Sequence, residues 1–219
     1  MTIGFYGHPF SSYCQKVLIA FYENDITFEW HQITFDDPDN LAEFAALWPI
    51  QKMPVLVDDG ETVIESTIAI EYLDLYHPGP VRMVPSDPKR ALEARFMDRF
   101  FDNYVMTPQG QIVFNAIRNA DKRDPYGVEQ SRKLLNTAYG WLDDRMKDRT
   151  WAIGDEFSLA DCAAAPSLFY ADWTHPIDPK FKFVHAYRKR LLERPSFARC
   201  VNDARPYRDL FPLGAPDRD

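Results

Sequence analysis

A chain of 219 residues, 46% apolar and 26% charged, can bury a substantial core in one or two domains and reads as an ordinary globular protein. Its net charge of −8 argues against a nucleic-acid backbone as principal partner. No apolar run approaches the roughly 20 residues that span a bilayer, Cys162 to Ala171 being among the longest, so no membrane association is expected.

The opening Met1-Thr2-Ile3-Gly4-Phe5-Tyr6 has no basic segment, so no signal peptide is expected, and residues 2–6 read directly as a strand. Cys14, Cys162 and Cys200 lack CxxC or zinc-ligand spacing, and the five histidines form no H-x-x-x-H pair; a reduced cytoplasmic protein without structural metal follows. Ser12 to Asn24 places Cys14, Val17, Leu18 and Phe21 on one helical stripe. Thr27 to Phe35 reads as a second strand, and a strand-helix-strand unit of this length favours parallel pairing. Leu41 to Leu47 reads as a short helix. Val55–Val57 and Thr62–Ile64 then flank the turn signal Asp58-Asp59-Gly60, and Thr67 to Tyr76 closes the unit as a helix. The order is βαβαββα on a four-stranded mixed sheet.

Pro78, Gly79, Pro80, Pro85 and Pro88 interrupt the pattern, which divides the chain into residues 1–77, a linker at 78–89, and residues 90–219. Beyond the linker everything reads as helix. Leu92, Phe96, Phe100, Phe101, Tyr104 and Val105 lie at helical spacing on one long helix after Pro88, and Leu135, Ala138, Leu142 and Met146 mark another. Ser158-Leu159-Ala160-Asp161 is an acidic capping box opening a helix that Pro166 should kink or end early. Val184, Tyr187 and Leu191 mark a further helix, on which the basic cluster from Lys180 to Arg194 reads as a solvated face; Pro195 starts the last. The fold class is a small α/β domain followed by an all-helical bundle.

Two segments carry candidate chemistry. Lys52-Met53-Pro54 precedes a β-branched strand; a cis bond there would bend the chain and free the Met53 amide and carbonyl to pair with a bound peptide. Eight residues past that strand, Glu65-Ser66 opens a helix, offering a carboxylate for an ammonium group and helix amides with a hydroxyl for a carboxylate; helix capping alone is the simpler role. In His8-Pro9-Phe10-Ser11-Ser12-Tyr13-Cys14, between first strand and first helix, Ser11 or Ser12 can cap the helix, donate a hydroxyl to a thiolate, or divide the two tasks. Tyr6 is either a second source of a hydroxyl or a core residue. Cys14 lies on the apolar stripe and reads as an inert buried thiol.

These segments in this order resemble the glutathione transferase superfamily over nearly the whole chain. Ser11 to Val17 resembles the active-site helix start of its serine-type classes (theta, zeta and phi), and Glu43-Phe44 to Leu47, Pro49, then Lys52 to Leu56 resembles its loop into the cis-proline strand. Glu65-Ser66 followed by Ile68-Ala69-Ile70 matches its γ-glutamyl-binding turn; Ser158 to Asp161 and Arg194-Pro195-Ser196-Phe197 resemble its buried capping box and last-helix junction.

The resemblance implies a thioredoxin-like domain that holds glutathione as co-substrate, without metal, and a transferase that conjugates its thiolate to a hydrophobic electrophile in detoxification. By position Ser11 bonds the sulfur, Met53 and Pro54 meet the cysteinyl portion, Glu65 and Ser66 the γ-glutamyl end, and Lys52 the glycine carboxylate. Phe10 and Tyr104 would wall the co-substrate pocket. A homodimer across the Thr67–Tyr76 helix and the helix after Pro88 is also implied. The alternatives are related isomerase or peroxidase chemistry, or a non-catalytic binding module of the same fold. The chain departs from the family at Trp48, where Asn is usual, and around Asp39-Asn40, where a basic residue is often found. Where cysteine-type relatives carry their nucleophile it has Ser11, which disfavours dithiol reductase chemistry.

Overall fold

The computed structural model describes residues 2–34 and 36–219. In chain order they form β1 (Ile3–Gly7), α1 (Ser12–Glu23), β2 (Phe28–Gln32), α2 (Pro38–Leu47), β3 (Val55–Asp58), β4 (Glu61–Ile64) and α3 (Ser66–Tyr76). Helices α4 (Pro88–Phe100), α5 (Thr107–Ala116), α6 (Pro125–Arg145), α7 (Leu159–Thr174), α8 (Lys182–Leu192) and α9 (Pro195–Ala204) follow. The sheet order is β2-β1-β3-β4, with β1 parallel to β2 and β3 antiparallel to both its neighbours. This is the expected mixed sheet, although β2 ends at Gln32 and Phe35 lies outside the described residues.

Local chemistry accounts for most element ends. Asp37-Pro38, Asp87-Pro88 and Asp124-Pro125 each start a helix: the aspartate accepts the backbone N–H three residues on, at 3.0, 2.9 and 2.8 Å, and proline needs no partner in the first turn. The β3–β4 turn has Asp59 and Gly60 at φ of 50° and 83°, the paired left-handed residues of a tight hairpin. Alternation along β1 sends Phe5 into the main core with Val17, Phe21 and Ile70, and Tyr6 to the opposite face with Ile33, Phe44 and Val55. Thus α1 and α3 cover one face of the sheet and α2 the other.

Three sequence expectations need correction. Helix α7 does not end early at Pro166 but continues to Thr174; all sixteen of its residues are buried, and packing on every side holds the turn whose hydrogen bond proline removes. The helix after Pro88 passes through a π-helical segment, Phe101–Met106, before α5, and the proposed stripe mixes two faces. Ala91, Ala94, Met97, Phe101 and Val105 point inward, whereas Leu92 and Phe96 are exposed. On α8, Arg188 is not solvated: it is buried against the Phe169 ring, 3.4 Å from Asp172. Among the described residues no helix is long and apolar enough to cross a membrane.

Candidate functional site

The turn between β1 and α1 sets Ser11 at the mouth of a cleft between the sheet domain and the helices. Its N–H bonds the His8 carbonyl at 2.9 Å, and its carbonyl accepts the Gln15 N–H at 2.9 Å. Its hydroxyl oxygen caps α1 by accepting the Cys14 N–H at 3.4 Å, which leaves the hydroxyl proton free to donate. The capping and donating readings are therefore compatible. Cys14 behind it is fully buried, and burial pushes its thiol up to about 11.

Two cavities adjoin here. The larger, about 680 Å³, is lined by Ser11 and Phe10 on one side and by Val113, Phe114, Tyr170 and Phe211 on the other. The smaller, about 290 Å³, is lined by Pro54 and by the polar side chains of Glu65, Ser66, Arg99 and Asp102. Tyr13, Lys52 and Met53 line both, so the cavity at Ser11 and the cavity at Glu65 lie side by side. The Met53-Pro54 bond is cis, and Met53 makes no backbone hydrogen bond with the described residues. Trp48, standing where the resembled family has Asn, forms part of the smaller cavity's wall.

Glu65 adopts φ 70°, a left-handed conformation that a non-glycine residue holds only at a cost of about 1–3 kcal/mol. It makes no capping bond, so the first-turn amides of α3 keep their hydrogen-bonding capacity for an anion, beside the Ser66 side chain. Tyr13, between the cavities, is pushed up to about 12 by burial and next by the Asp102 charge, so its phenol stays protonated.

Two candidates lie elsewhere. Tyr6, the alternative thiol donor, is on the α2 face, where its hydroxyl donates to Glu43 Oε1 at 2.6 Å and its ring stacks on His31. Strand alternation decides this: only odd positions of β1 face α1. Tyr104 does not line either cavity; it projects outward beside Phe100, and the wall it was expected to form comes from α5. Phe10 does line the larger cavity.

Beneath the smaller cavity lies a network not foreseen from sequence. Lys16, 1% exposed, places its ammonium 2.6 Å from Asp98, 2.8 Å from Asp102 and 2.9 Å from Thr67 Oγ1. Thr67 donates to Asp98 at 2.9 Å, and Arg99 bonds both carboxylates at 2.6 and 2.7 Å. These contacts tie α1 and α3 to the start of the helical domain. The signal was the i, i+4 carboxylate pair Asp98 and Asp102, whose partner lies more than eighty residues away in sequence. Among the described residues no cluster of His, Cys, Asp and Glu is arranged to hold a metal ion.

Residues 5–81 match the glutathione S-transferase N-terminal domain model and residues 125–190 the C-terminal domain model. A stringent starvation protein A homolog of Coxiella burnetii is 26% identical, covering 91% of both chains. A probable glutathione S-transferase of Nicotiana tabacum is 30% identical, covering 74% of this chain and 66% of the relative. The solved structure of a Methylobacterium radiotolerans glutathione S-transferase, in complex with glutathione sulfonate, superposes with TM-score 0.79 at 28% identity, covering 92% of this chain and 95% of that one.

Proposed function

The chain belongs to the glutathione S-transferase superfamily, and from that premise we propose that it binds glutathione across the adjoining cavities at Ser11 and Glu65 and catalyses attack of the thiolate on an apolar electrophile. The observation that carries this reading is the adjacency of two cavities that share Tyr13, Lys52 and Met53: a hydroxyl with a free proton in one, and a carboxylate beside uncapped helix amides in the other.

The donor set fits the tripeptide. Glu65 receives the γ-glutamyl ammonium, while Ser66 and the first amides of α3 receive its carboxylate. The Met53 main chain, ahead of Pro54, pairs with the cysteinyl portion, and Lys52 offers a cation to the glycine carboxylate. When bound, glutathione supplies a thiol of ordinary pKa near ~8.5. Ser11 donates to the sulfur, and a hydrogen bond to a charged acceptor, about 1.5–3 kcal/mol, favours the thiolate by roughly one to two pKa units. Phe10, Phe114 and Phe211 exclude water from the acceptor side and suit an apolar co-substrate. The sulfur–carbon bond forms as the leaving group departs with its electron pair, or as the electrophile's double bond takes up a proton.

The reading extends to a glutathione-binding unit over residues 1–77 and a helical unit over 90–219, acting in detoxification in the cytoplasm. It includes a homodimer through the outer faces of α3 and α4, where Ile68, Leu75, Tyr76 and Leu92 are all exposed. Isomerase or peroxidase chemistry would use the same Ser11-bound thiolate.

A second reading, a non-catalytic module, is favoured by Trp48 in the wall of the γ-glutamyl end and by the Coxiella relative, which is not named as a transferase. A thermal melt separates the two. Glutathione at about 100 times its Kd stabilises the native state by about 2.7 kcal/mol. A melting shift together with conjugation that is lost in Ser11→Ala supports the transferase. No shift at millimolar glutathione supports the module, and wild-type activity in Ser11→Ala defeats the role assigned to that hydroxyl.

A further inference from the structure

The turn that presents Ser11 belongs to no sheet or helix, so its backbone polar groups must find partners individually. The Phe10 N–H donates to His8 Nδ1 at 3.1 Å, and burial lowers the pKa of His8, keeping that nitrogen an acceptor. The Pro9 carbonyl accepts from Gln15 Nε2 at 2.9 Å. The Phe10 carbonyl, one peptide from Ser11, accepts from the Tyr170 hydroxyl at 3.1 Å, and that hydroxyl in turn accepts from Gln15 Nε2 at 3.0 Å. Gln15 is fully buried and its Oε1 has no partner; turning the amide over would set that oxygen against the Pro9 carbonyl. The chain from Gln15 to Tyr170 to Phe10 therefore has a single direction.

Tyr170 lies on α7, in the half of that helix that continues beyond Pro166. Its ring meets Phe10 edge-on at 5.4 Å and packs against Phe169 and Trp173. Among the described residues the Ser11 hydroxyl itself is held only by the long 3.4 Å bond from Cys14, so its aim depends on where the backbone of residues 9–11 is pinned.

We infer that Tyr170 is a positioning residue for Ser11: through the Phe10 carbonyl and Gln15, the helical domain fixes the direction of the hydroxyl that would meet the thiol. The inference rests on the proposed thiol chemistry of Ser11 and names a determinant of that chemistry outside the glutathione-binding domain. Burial pushes the phenol pKa upward, so Tyr170 remains a donor whenever the protein is folded.

The test is Tyr170→Phe, which keeps the ring packing and removes only the hydroxyl. The pH dependence of thiolate ultraviolet absorbance is titrated with glutathione bound to wild type, Tyr170→Phe, Ser11→Ala and the double variant, together with glutathione affinity. In Tyr170→Phe the bound thiol's pKa should rise by about half a unit, a roughly threefold loss of thiolate below the pKa, with affinity unchanged because the Glu65 end is untouched. In the Ser11→Ala background the second substitution should add nothing. An unchanged thiol pKa in Tyr170→Phe overturns the inference. So does a shift that persists without Ser11, since the phenol would then act on sulfur directly. Wild-type protein that fails to bind glutathione, or binds it without lowering the thiol pKa, instead defeats the proposed function on which the inference stands.

Discussion

Replacing Lys16 by methionine removes a buried cation while keeping most of its volume. The ammonium donates to Asp102 and Thr67 at 2.8 and 2.9 Å and forms a 2.6 Å ion pair with Asp98, so its charge is met by buried groups on α3 and the helical domain. Breaking such a buried arrangement from one side costs about 3–5 kcal/mol, because the carboxylates stay desolvated without their partner. Arg99 still bonds both aspartates, but its side chain is half exposed, which draws the expected loss toward the lower end. At roughly 2–4 °C per kcal/mol for a chain of this size, a loss of about 3 kcal/mol lowers Tm by about 6–12 °C. The deficit also has a pH signature. Burial already raises the Asp102 pKa, and the Lys16 charge works against that rise. Without Lys16 the folded-state pKa climbs further, so folded variant binds more protons than unfolded chain, and its stability falls as pH rises from the ordinary carboxylate range toward neutrality. Urea melts at neutral pH and near pH ~5 check both parts. A neutral-pH deficit below about 1 kcal/mol, or one that grows on acidification, would refute the reasoning.

Tyr6→Phe should leave thiolate formation unchanged, since the hydroxyl it removes is spent on Glu43 across the sheet; a raised bound-thiol pKa in that variant would contradict the geometry. Asp161 is pushed up to about 6 by burial, although Tyr187, Ala152 and Ser158 donate to it at 2.6, 2.8 and 2.9 Å. Its contribution to stability is thus full below the unfolded carboxylate value of about 4 and is lost as pH rises through about 6, on the order of 3 kcal/mol. In Asp161→Asn this slope should disappear from urea melts taken across that window, together with about 1–3 kcal/mol for a donor left facing the amide nitrogen. Gly7→Ala puts a methyl group 2.6 Å from Cys14 Sγ and should cost about 1–3 kcal/mol, most of it recovered in a Cys14→Ala background where that sulfur is gone; additive costs in the double variant would place the strain elsewhere.

The candidate cleft was legible in sequence where a residue stands at a local signal. Ser11 precedes an apolar helical stripe, Pro54 precedes β-branched residues, and Glu65-Ser66 follows a hairpin, so each position was marked by its immediate neighbours. Lys16 and Tyr170 have no such mark. Each lies inside a helix, where a lysine reads as solvated and a tyrosine as core, and only contact with a distant element assigns it a partner. Tyr104 failed for the complementary reason: helical spacing locates a face but does not say which neighbour covers it, and the π-helical turn separates it from the wall built by α5.

Sequence by itself determined the order βαβαββα, the helical second half and the helix starts near Ser12, Pro88, Ser158 and Pro195, because alternation, 3.6-residue periodicity, first-turn proline and the capping box act over a few residues. Tertiary structure alone decided that α7 runs on through Pro166, that Tyr6 turns away from the cleft, and that a lysine and two aspartates are buried together. Those outcomes depend on desolvation and packing between segments tens of residues apart, and no local window of the chain contains both partners.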